Sequence, residues 1–504
     1  HRDLHSFPTR RSSDLLGAKH GPSVGELAVA VAIQRACAPG PKCELSDFLD
    51  TSVPRLSCLP GAVFSGQAFH RVAQQVTEEA LEQAQVAISQ AAASRFHLST
   101  DVLAFDTTNF DTHIDTVTPG QLPRRGKAKS KRHDLRVVGL GLLVSETGHV
   151  PLLYRTYPGN SSDQGVLEAC LEGLKQLHQA LETGNGGGDG APAAQRTLVR
   201  DGGFWSPQLE LDLDRIGYAS IISLPLGHAA AQAALEQAAQ RGAMQPLAGK
   251  LQGVRAARTR LAVGKLDRTL VVVESEELLA GQKRGIAVAL RKAKRELRKL
   301  ERLVCAGRLG RDRLAERCQK ALAREHLSSF VVPTISGSEG QPSFTWRVDT
   351  SLRRQLEKTR LGRRVLCTDR HGWSTGRIVH AFRGQWNVEE LFRRAKKGGV
   401  VPWGPSHQWA DGSLRLHTFA TVLGLLLVSL AKLALGTSAS AQQTMKSLGE
   451  IRATLVRTTT GAAGRRPTAM LAPELSTEQR RAVRVFELNR WFPSILSSMT
   501  ARAI

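Results

Sequence analysis

From residue 22 the apolar positions recur at helical spacing. GELAVAVAIQRACA is apolar and alanine-rich, and AFHRVAQQVTEEALEQAQVAISQAAAS is a long stretch of good helix formers, so residues 22–95 predict an all-α region. The period then shortens. DVLAFDTT (101–108) reads as a buried strand ending in an acid. LRVVGLGLLVS (135–145) and VPLLYRTYP (150–158) flank ETGH, whose glycine suits a turn, and predict a hairpin. Val166, Leu167, Cys170, Leu171, Leu174 and Leu177 return to helical spacing within Gln164–Leu181. GNGGGDGAPAA (184–194) reads as a flexible linker. RTLVRD (196–201) is a second strand ending in an acid, followed by a helix over Pro207–Arg215 and a strand at YASIISLP (218–225). The order β-ββ-α-β-α-β predicts an α/β fold: a mixed sheet with helices on both faces.

Residues 226–368 interrupt that order. TRLAVGKL, TLVVVES, SSFVVPTI and SFTWRVD read as strands around a basic helical stretch. Ile286, Leu290, Ala293, Leu297, Leu300 and Val304 alternate by four and three, a coiled-coil-like seam. Leu314–Leu327 predicts a helix folding back after GRLGR, making a helical hairpin. VLCTD (365–369) returns to the core, followed by helices at 381–397, 414–435 and Thr477–Asn489. The expected organisation is therefore a helical accessory and DNA-binding region at 16–98, a core at 99–225 and 369–440, an insertion at 226–368 and a helical tail at 441–504. Residues 5–15, HSFPTRRSSDL, resemble one reading frame of a common sequencing adapter, so residues 1–15 are set aside and the natural chain is expected to extend upstream.

Charge changes the picture more than composition does. The 504 residues hold 69 Lys and Arg against 45 Asp and Glu, a formal net charge of +24, which favours a polyanionic partner, most simply nucleic acid. At 41% hydrophobic residues the chain can build real cores, and two to four folding units are expected. Seven scattered cysteines (Cys37, Cys43, Cys58, Cys170, Cys305, Cys318 and Cys367) form no CxxC and no zinc spacing; they read as reduced thiols in a reducing compartment. The longest uncharged apolar run, Thr418–Ala431, is shorter than the roughly 17–25 residues of a membrane span. No apolar signal segment opens the chain, and no membrane association is expected.

Three acids carry the candidate chemistry. Asp106 and Asp201 end predicted strands, where α/β sheets place their sites. Small residues follow each: Thr107, Thr108 and Asn109 after the first, Gly202 and Gly203 after the second. Taken singly, either could be a turn carboxylate or a helix N-cap. In AFRGQWNVEELFRRAKKGG (381–399), a single helix puts Phe382, Gln385, Glu389, Arg393 and Lys396 within about 40° of one line, with Val388, Phe392 and Ala395 towards the core and Glu390 rotated by about 100°. A Glu389–Arg393 surface pair is the plain alternative. The loop RRGKAKSKRH (124–133) and the cations of residues 283–302 read either as phosphate contacts or as solvated charge. Trp346 reads as a base-stacking or a packing tryptophan, and His113 and His371 as loop residues.

FDTTNFDTH (105–113), KRHDLRVVGLGLLVSETGHVPLLYRTYPGNSSD (131–163), VRDGGF (199–204) and QWNVEELFRRAKKG (385–398) together resemble, in order, the DDE transposases of bacterial insertion sequences. The nearest group is the branch with a β-strand insertion between the second Asp and the Glu. PSHQWADGSLRLHTFATVLGLLL (405–427) resembles the helix that follows in that branch, so the likeness runs from about residue 24 to 440. The resemblance implies an RNase H-like fold and a catalytic, metal-binding triad of Asp106, Asp201 and Glu389. It implies two Mg²⁺ ions, with Mn²⁺ as substitute, that support cleavage at element ends and transfer of the 3′-hydroxyl to target DNA. The implied partners are double-stranded DNA, as terminal inverted repeats and target, and a second copy of the chain in a synaptic homodimer; the implied setting is a bacterial cytoplasm, at the nucleoid. Lys396, Arg393, Gln385, Arg394 and Lys397 on the helix, with Arg124, Arg125, Lys127 and Lys129 in the loop, are the expected DNA contacts. Where the family's helix carries Tyr and then Arg, this chain has Phe382 and Gln385. An inactive DNA-binding remnant and an RNase H-like nuclease without strand transfer stay open as alternatives.

Overall fold

The computed structural model describes residues 22–50, 64–115, 117–184, 195–241, 244–452, 454–457, 468–471 and 474–488. The adapter-like stretch, most of the glycine-rich linker and Cys58 lie outside them. Two compact units are present. One runs through Ser220 and resumes at Arg383; the other is Ile221–Phe382. The expected helical region therefore belongs to the same unit as the strands that carry the acids.

In the first unit, α1 (Val24–Cys37) opens with a capping box: Ser23 Oγ accepts from Glu26 N at 3.2 Å, and the Glu26 carboxylate accepts from Ser23 N at 2.8 Å. α2 (Leu45–Asp50), α3 (Gly66–Ala73) and α4 (Glu78–Phe96) follow. β1 (Val102–Thr112) pairs antiparallel with β2 (Arg136–Ser145), and β2 with β3 (Pro151–Pro158). After α5 (Asp163–Glu168) and α6 (Leu171–Gly184), β4 (Arg196–Arg200) runs parallel to β1, giving the order β3-β2-β1-β4. Gly139 and Gly141 on β2 make room for large neighbours. A Cβ at Gly139 would stand 2.0 Å from the Tyr157 ring, and one at Gly141 3.1 Å from Phe105. Across that gap Tyr157 donates its hydroxyl to the Thr108 carbonyl at 3.1 Å, fastening β3 to β1. α7 (Pro207–Arg215) is held to β4 by a fully buried ion pair, Arg200–Glu210, with Arg200 also donating to Ser220 Oγ at 2.7 Å.

At β5 (Tyr218–Leu224) the chain passes into the second unit. There β5 pairs antiparallel with β11, and α8 (Ala229–Arg241), β6 (Gln245–Pro246), β7 (Val254–Val263) and β8 (Leu266–Ser275) build the order β5-β11-β8-β7-β6. The predicted strand TRLAVGKL in fact crosses the β7–β8 turn at Gly264, whose φ of +64° favours glycine. α9 (Glu276–Cys305) and α10 (Arg311–Leu322) form the expected hairpin. The strands β9 (Val331–Gly337) and β10 (Pro342–Val348) pair with each other, and α11 (Thr350–Thr359) leads into β11 (Arg363–Thr368) and α12 (Thr375–Arg383). Ile286, Leu290, Ala293, Leu297 and Leu300 of the α9 seam share one buried cluster with Leu314, Phe330 and Phe344. Trp346 packs against that cluster, which is the packing alternative for this residue.

The first unit resumes with α13 (Trp386–Ala395), α14 (Asp411–Leu435), α15 (Ala441–Gly449) and α16 (Thr477–Val485). By length and composition α14 could cross a membrane, yet 72% of its most apolar stretch is buried within the protein. Within it the buried hydroxyls are satisfied: Thr418 and Thr421 donate to the Leu414 and His417 carbonyls one turn back at 2.8 and 2.9 Å, and Ser429 donates to the His149 carbonyl at 2.8 Å.

Candidate active site

β1 and β4 bring two acids to one level. Their parallel register ends at Ala104 opposite Val199, and Asp106 and Asp201 follow those residues by the same two steps. Asp106 is half-buried and accepts a hydrogen bond from Thr107 N at 2.7 Å. Asp201 is exposed. It occupies the N-cap position of a short 3₁₀ turn, Gly202–Phe204, without making a capping hydrogen bond, so the N-cap explanation of this acid fails.

Glu389 arrives on α13. Val388, Leu391, Phe392 and Ala395 bury one side of that helix, which packs against β1 and β2. Asn387 Nδ2 donates to the Glu146 carbonyl at the end of β2 at 3.3 Å. Beyond the helix, Trp403 is fully buried. It donates from Nε1 to Thr418 Oγ1 at 3.0 Å and stacks on Phe110 of β1, ring centroids 4.9 Å apart. The sequence expectation of one helix from Phe382 to Lys396 does not hold. α12 ends at Arg383, Gly384 and Gln385 form a turn, and Lys396 lies past the end of α13 with extended ψ. Glycine at the break and the Gly398–Gly399 pair beyond the end limit the helix to Trp386–Ala395.

The two adjacent glutamates divide the work. Glu390 takes both neighbouring arginines, Arg393 at 2.9 Å and Arg394 at 3.3 Å. Glu389 is exposed and makes no ion pair among the described residues. The surface pair expected as the plain alternative thus belongs to Glu390. Arg394, expected on DNA, is instead buried, bonded to Glu390 and to Ser429 Oγ at 3.2 Å. Arg393, Lys396 and Lys397 are exposed, and Gln385 is partly so.

Asp106 feels both of the other carboxylates. Burial pushes the Asp106 carboxyl up to about 6. The Thr107 N–H and the Lys129 ammonium oppose the rise, while the charges of Asp201 and Glu389 add to it. Lys129 also donates to the Thr107 carbonyl, so it is a neighbour of Asp106 rather than a free surface cation. The loop that carries it is pinned to β1: Asn109 donates to the Lys127 carbonyl at 2.9 Å and accepts from Lys129 N at 2.9 Å, and Ser130 donates to Asp111 at 2.7 Å. Arg124 is bridged to Val137 through its backbone, while the side chains of Arg124, Arg125 and Lys127 are exposed.

One acid escaped the sequence reading. Asp163, the first residue of α5, accepts from Thr107 Oγ1 at 2.8 Å, and a Cβ on Gly203 would come within 3.4 Å of its second oxygen. It closed the quoted motif GNSSD, so its position was available as a signal, but an acid in a helix's first turn ordinarily serves the helix dipole. His113 makes a backbone hydrogen bond to Ser406, and His371 Nδ1 meets Thr269 Oγ1 at 2.9 Å; both are loop residues.

By donor chemistry, three carboxylates with two of them unpaired fit a hard divalent cation. As they stand, no three His, Cys, Asp or Glu side chains among the described residues are grouped closely enough to hold one.

No protein-family model matches the chain, and no curated protein matches it. Among solved structures, the piggyBac transposase synaptic complex with hairpin DNA is similar at a TM-score of 0.36 and 9% identity, over 88% of this chain and 75% of that one. The Mos1 transposase paired-end complex with left transposon end is similar at a TM-score of 0.16 and 16% identity, over 44% of this chain and 64% of that one. Scores this low leave the functional reading to the site itself.

Proposed function

We propose that this chain is a DDE-type transposase that cleaves DNA at the ends of an insertion sequence and joins the freed 3′-hydroxyl to target DNA. One observation carries the reading: Asp201 and Glu389 lie near enough for their charges to act on the half-buried Asp106 carboxyl, and neither exposed acid is taken by a structural partner. The order β3-β2-β1-β4, with β2 antiparallel, supports an RNase H-like core. Asp106, Asp201 and Glu389 would hold Mg²⁺, or Mn²⁺ in its place. Two such ions, when bound, would supply Lewis-acid chemistry to a water or 3′-hydroxyl and to the leaving oxygen. The protein's own part is positioning. β1 and β4 fix the two aspartates level, α13 supplies the glutamate, and below about pH 6 Asp106 keeps its proton when no cation is bound. Arg393, Lys396 and Lys397 offer exposed cations beside Glu389 for backbone phosphates. A synaptic homodimer on terminal repeats belongs to the same proposal.

A second reading, a DNA-binding relative without turnover, has one observation behind it: the acids are not grouped to coordinate an ion. Asp201→Asn separates the two. The proposal expects Mn²⁺ titration, followed by electron paramagnetic resonance, to show tight sites in the wild type and their loss in the variant, with cleavage of a plasmid bearing the flanking repeats falling by at least about 100-fold. Equal Mn²⁺ binding by both proteins would sink the site. Cleavage that ignores the repeats would favour a general nuclease.

A further inference from the structure

The longest helix of the second unit carries charge in an order that its own stability does not call for. At 100° per residue, Arg284, Arg291, Arg295, Arg298 and Arg302 of α9 fall within about 40° of one line. The buried seam of Ile286, Leu290, Ala293, Leu297 and Leu300 lies on the opposite side. All five arginines are exposed, and none makes a side-chain hydrogen bond or ion pair among the described residues. α9's own ion pair is elsewhere, between Lys283 and Glu357 at 3.0 Å.

An ordinary solvated helix face interleaves Glu four residues before Lys or Arg, and each such pair adds a few tenths of a kcal/mol. Here the i,i+4 partners are like-charged: Arg291 with Arg295, and Arg298 with Arg302. Each like pair costs a similar amount. The helix bears that repulsion because the seam and a first turn of Glu276 and Glu277 under the Ser275 cap hold it. The side chains are arginines, whose planar fork matches phosphate oxygens bidentately. A membrane surface fits poorly, because an interfacial helix must bury an apolar face in lipid and the apolar side of α9 is already spent on its own core. From Arg284 to Arg302 the stripe spans about 27 Å, the length of roughly 8 base pairs of duplex.

We infer that the arginine stripe of α9 is a second grip on double-stranded DNA, reading backbone phosphates without regard to sequence. It rests on the proposed transposase reading only for choosing DNA among polyanions, and the stripe is independent of the three acids.

The test uses the full chain in EDTA, so that no cleavage chemistry enters, with a 30-base-pair duplex of arbitrary sequence. Affinity is measured against KCl concentration for three proteins. They are the wild type, a variant with Arg284, Arg291, Arg295, Arg298 and Arg302 all changed to Gln, and a charge-matched control with Arg308, Arg313, Lys320, Arg324 and Arg354, all exposed in the same unit, changed to Gln. The stripe variant is expected to flatten the slope of log K on log salt by about four and to bind at least about tenfold more weakly at 150 mM, with the control close to wild type. A stripe variant that keeps the wild-type slope, or a control that loses as much, would overturn the inference. Acetylation footprinting of the wild type decides the matter even if the variant folds poorly. Lys292 and Lys299 flank the stripe, and duplex should protect both; full reactivity with DNA bound overturns the proposal, as does protection by anionic vesicles but not by duplex. If protection stands while Asp201→Asn leaves Mn²⁺ binding unchanged, the catalytic reading fails and this one survives.

Discussion

Glu389 and Glu390 are neighbours in sequence with opposite prospects, and substitution separates them. Glu390→Gln removes the counter-charge of buried Arg394, so a loss of about 1–3 kcal/mol is expected in a denaturant titration. Glu389→Gln touches no ion pair and should leave stability within about 0.5 kcal/mol while abolishing Mn²⁺ binding. Asp106 makes a prediction with a sign. Its carboxyl is raised from the ordinary 3.8 to about 6, so the folded protein holds the proton more tightly than the unfolded chain. The stability linked to that proton is fully present below pH 3.8 and is lost as the pH climbs through about 6. In metal-free buffer, Asp106→Asn should therefore raise the melting temperature at pH 7–8, by the equivalent of about 1–3 kcal/mol, and give no gain at pH 3.5. A gain independent of pH would show that ionisation of Asp106 is not the cause. Asp201 was legible as an acid at a strand end and Glu389 as one on a basic segment, but Asp106 stands mid-strand: β1 runs on to Thr112 because its polar second half still pairs with β2. What the sequence did not show is which glutamate the arginines take, because that depends on side-chain reach across a single helical turn.

At the level of elements, β2, β3, β4, β5 and the first half of β1 were readable as short apolar runs, and the seam of α9 from its heptad spacing, since both signals survive without tertiary context. The break at Gly384 was not, because the apolar rhythm from Phe382 to Ala395 runs straight across it. Helices α8 and α11 were also missed: one is nearly all alanine and glutamine, the other is short and charged, and neither advertises a buried stripe. Packing between strands makes the firmest element-scale prediction. A methyl group at Gly139 would overlap the Tyr157 ring, so Gly139→Ala should cost at least about 2 kcal/mol, visible as a lower denaturation midpoint. Tyr157→Phe, which loses only the hydrogen bond to Thr108, should cost about 1 kcal/mol.

For the whole molecule, thiol accessibility reports the packing without any assay of function. Cys43 and Cys305 are exposed and should alkylate within minutes, whereas buried Cys170, Cys318 and Cys367 should label only on unfolding. Burial also holds the Cys170 thiol up, to about 12, which suppresses its reactive thiolate. Rapid labelling of Cys170 in the native protein would contradict the packing around α5 and α6. The connection of the insertion has a different kind of consequence. The chain leaves on β5 and comes back on β11, and those strands are antiparallel partners, Leu224 opposite Val365. Antiparallel neighbours can be closed by a turn of two residues. Everything between Leu224 and Val365 is therefore a cassette in the genetic sense: it begins and ends at one doorway, so lineages could lengthen, shorten or exchange it in frame without rethreading the strands on either side.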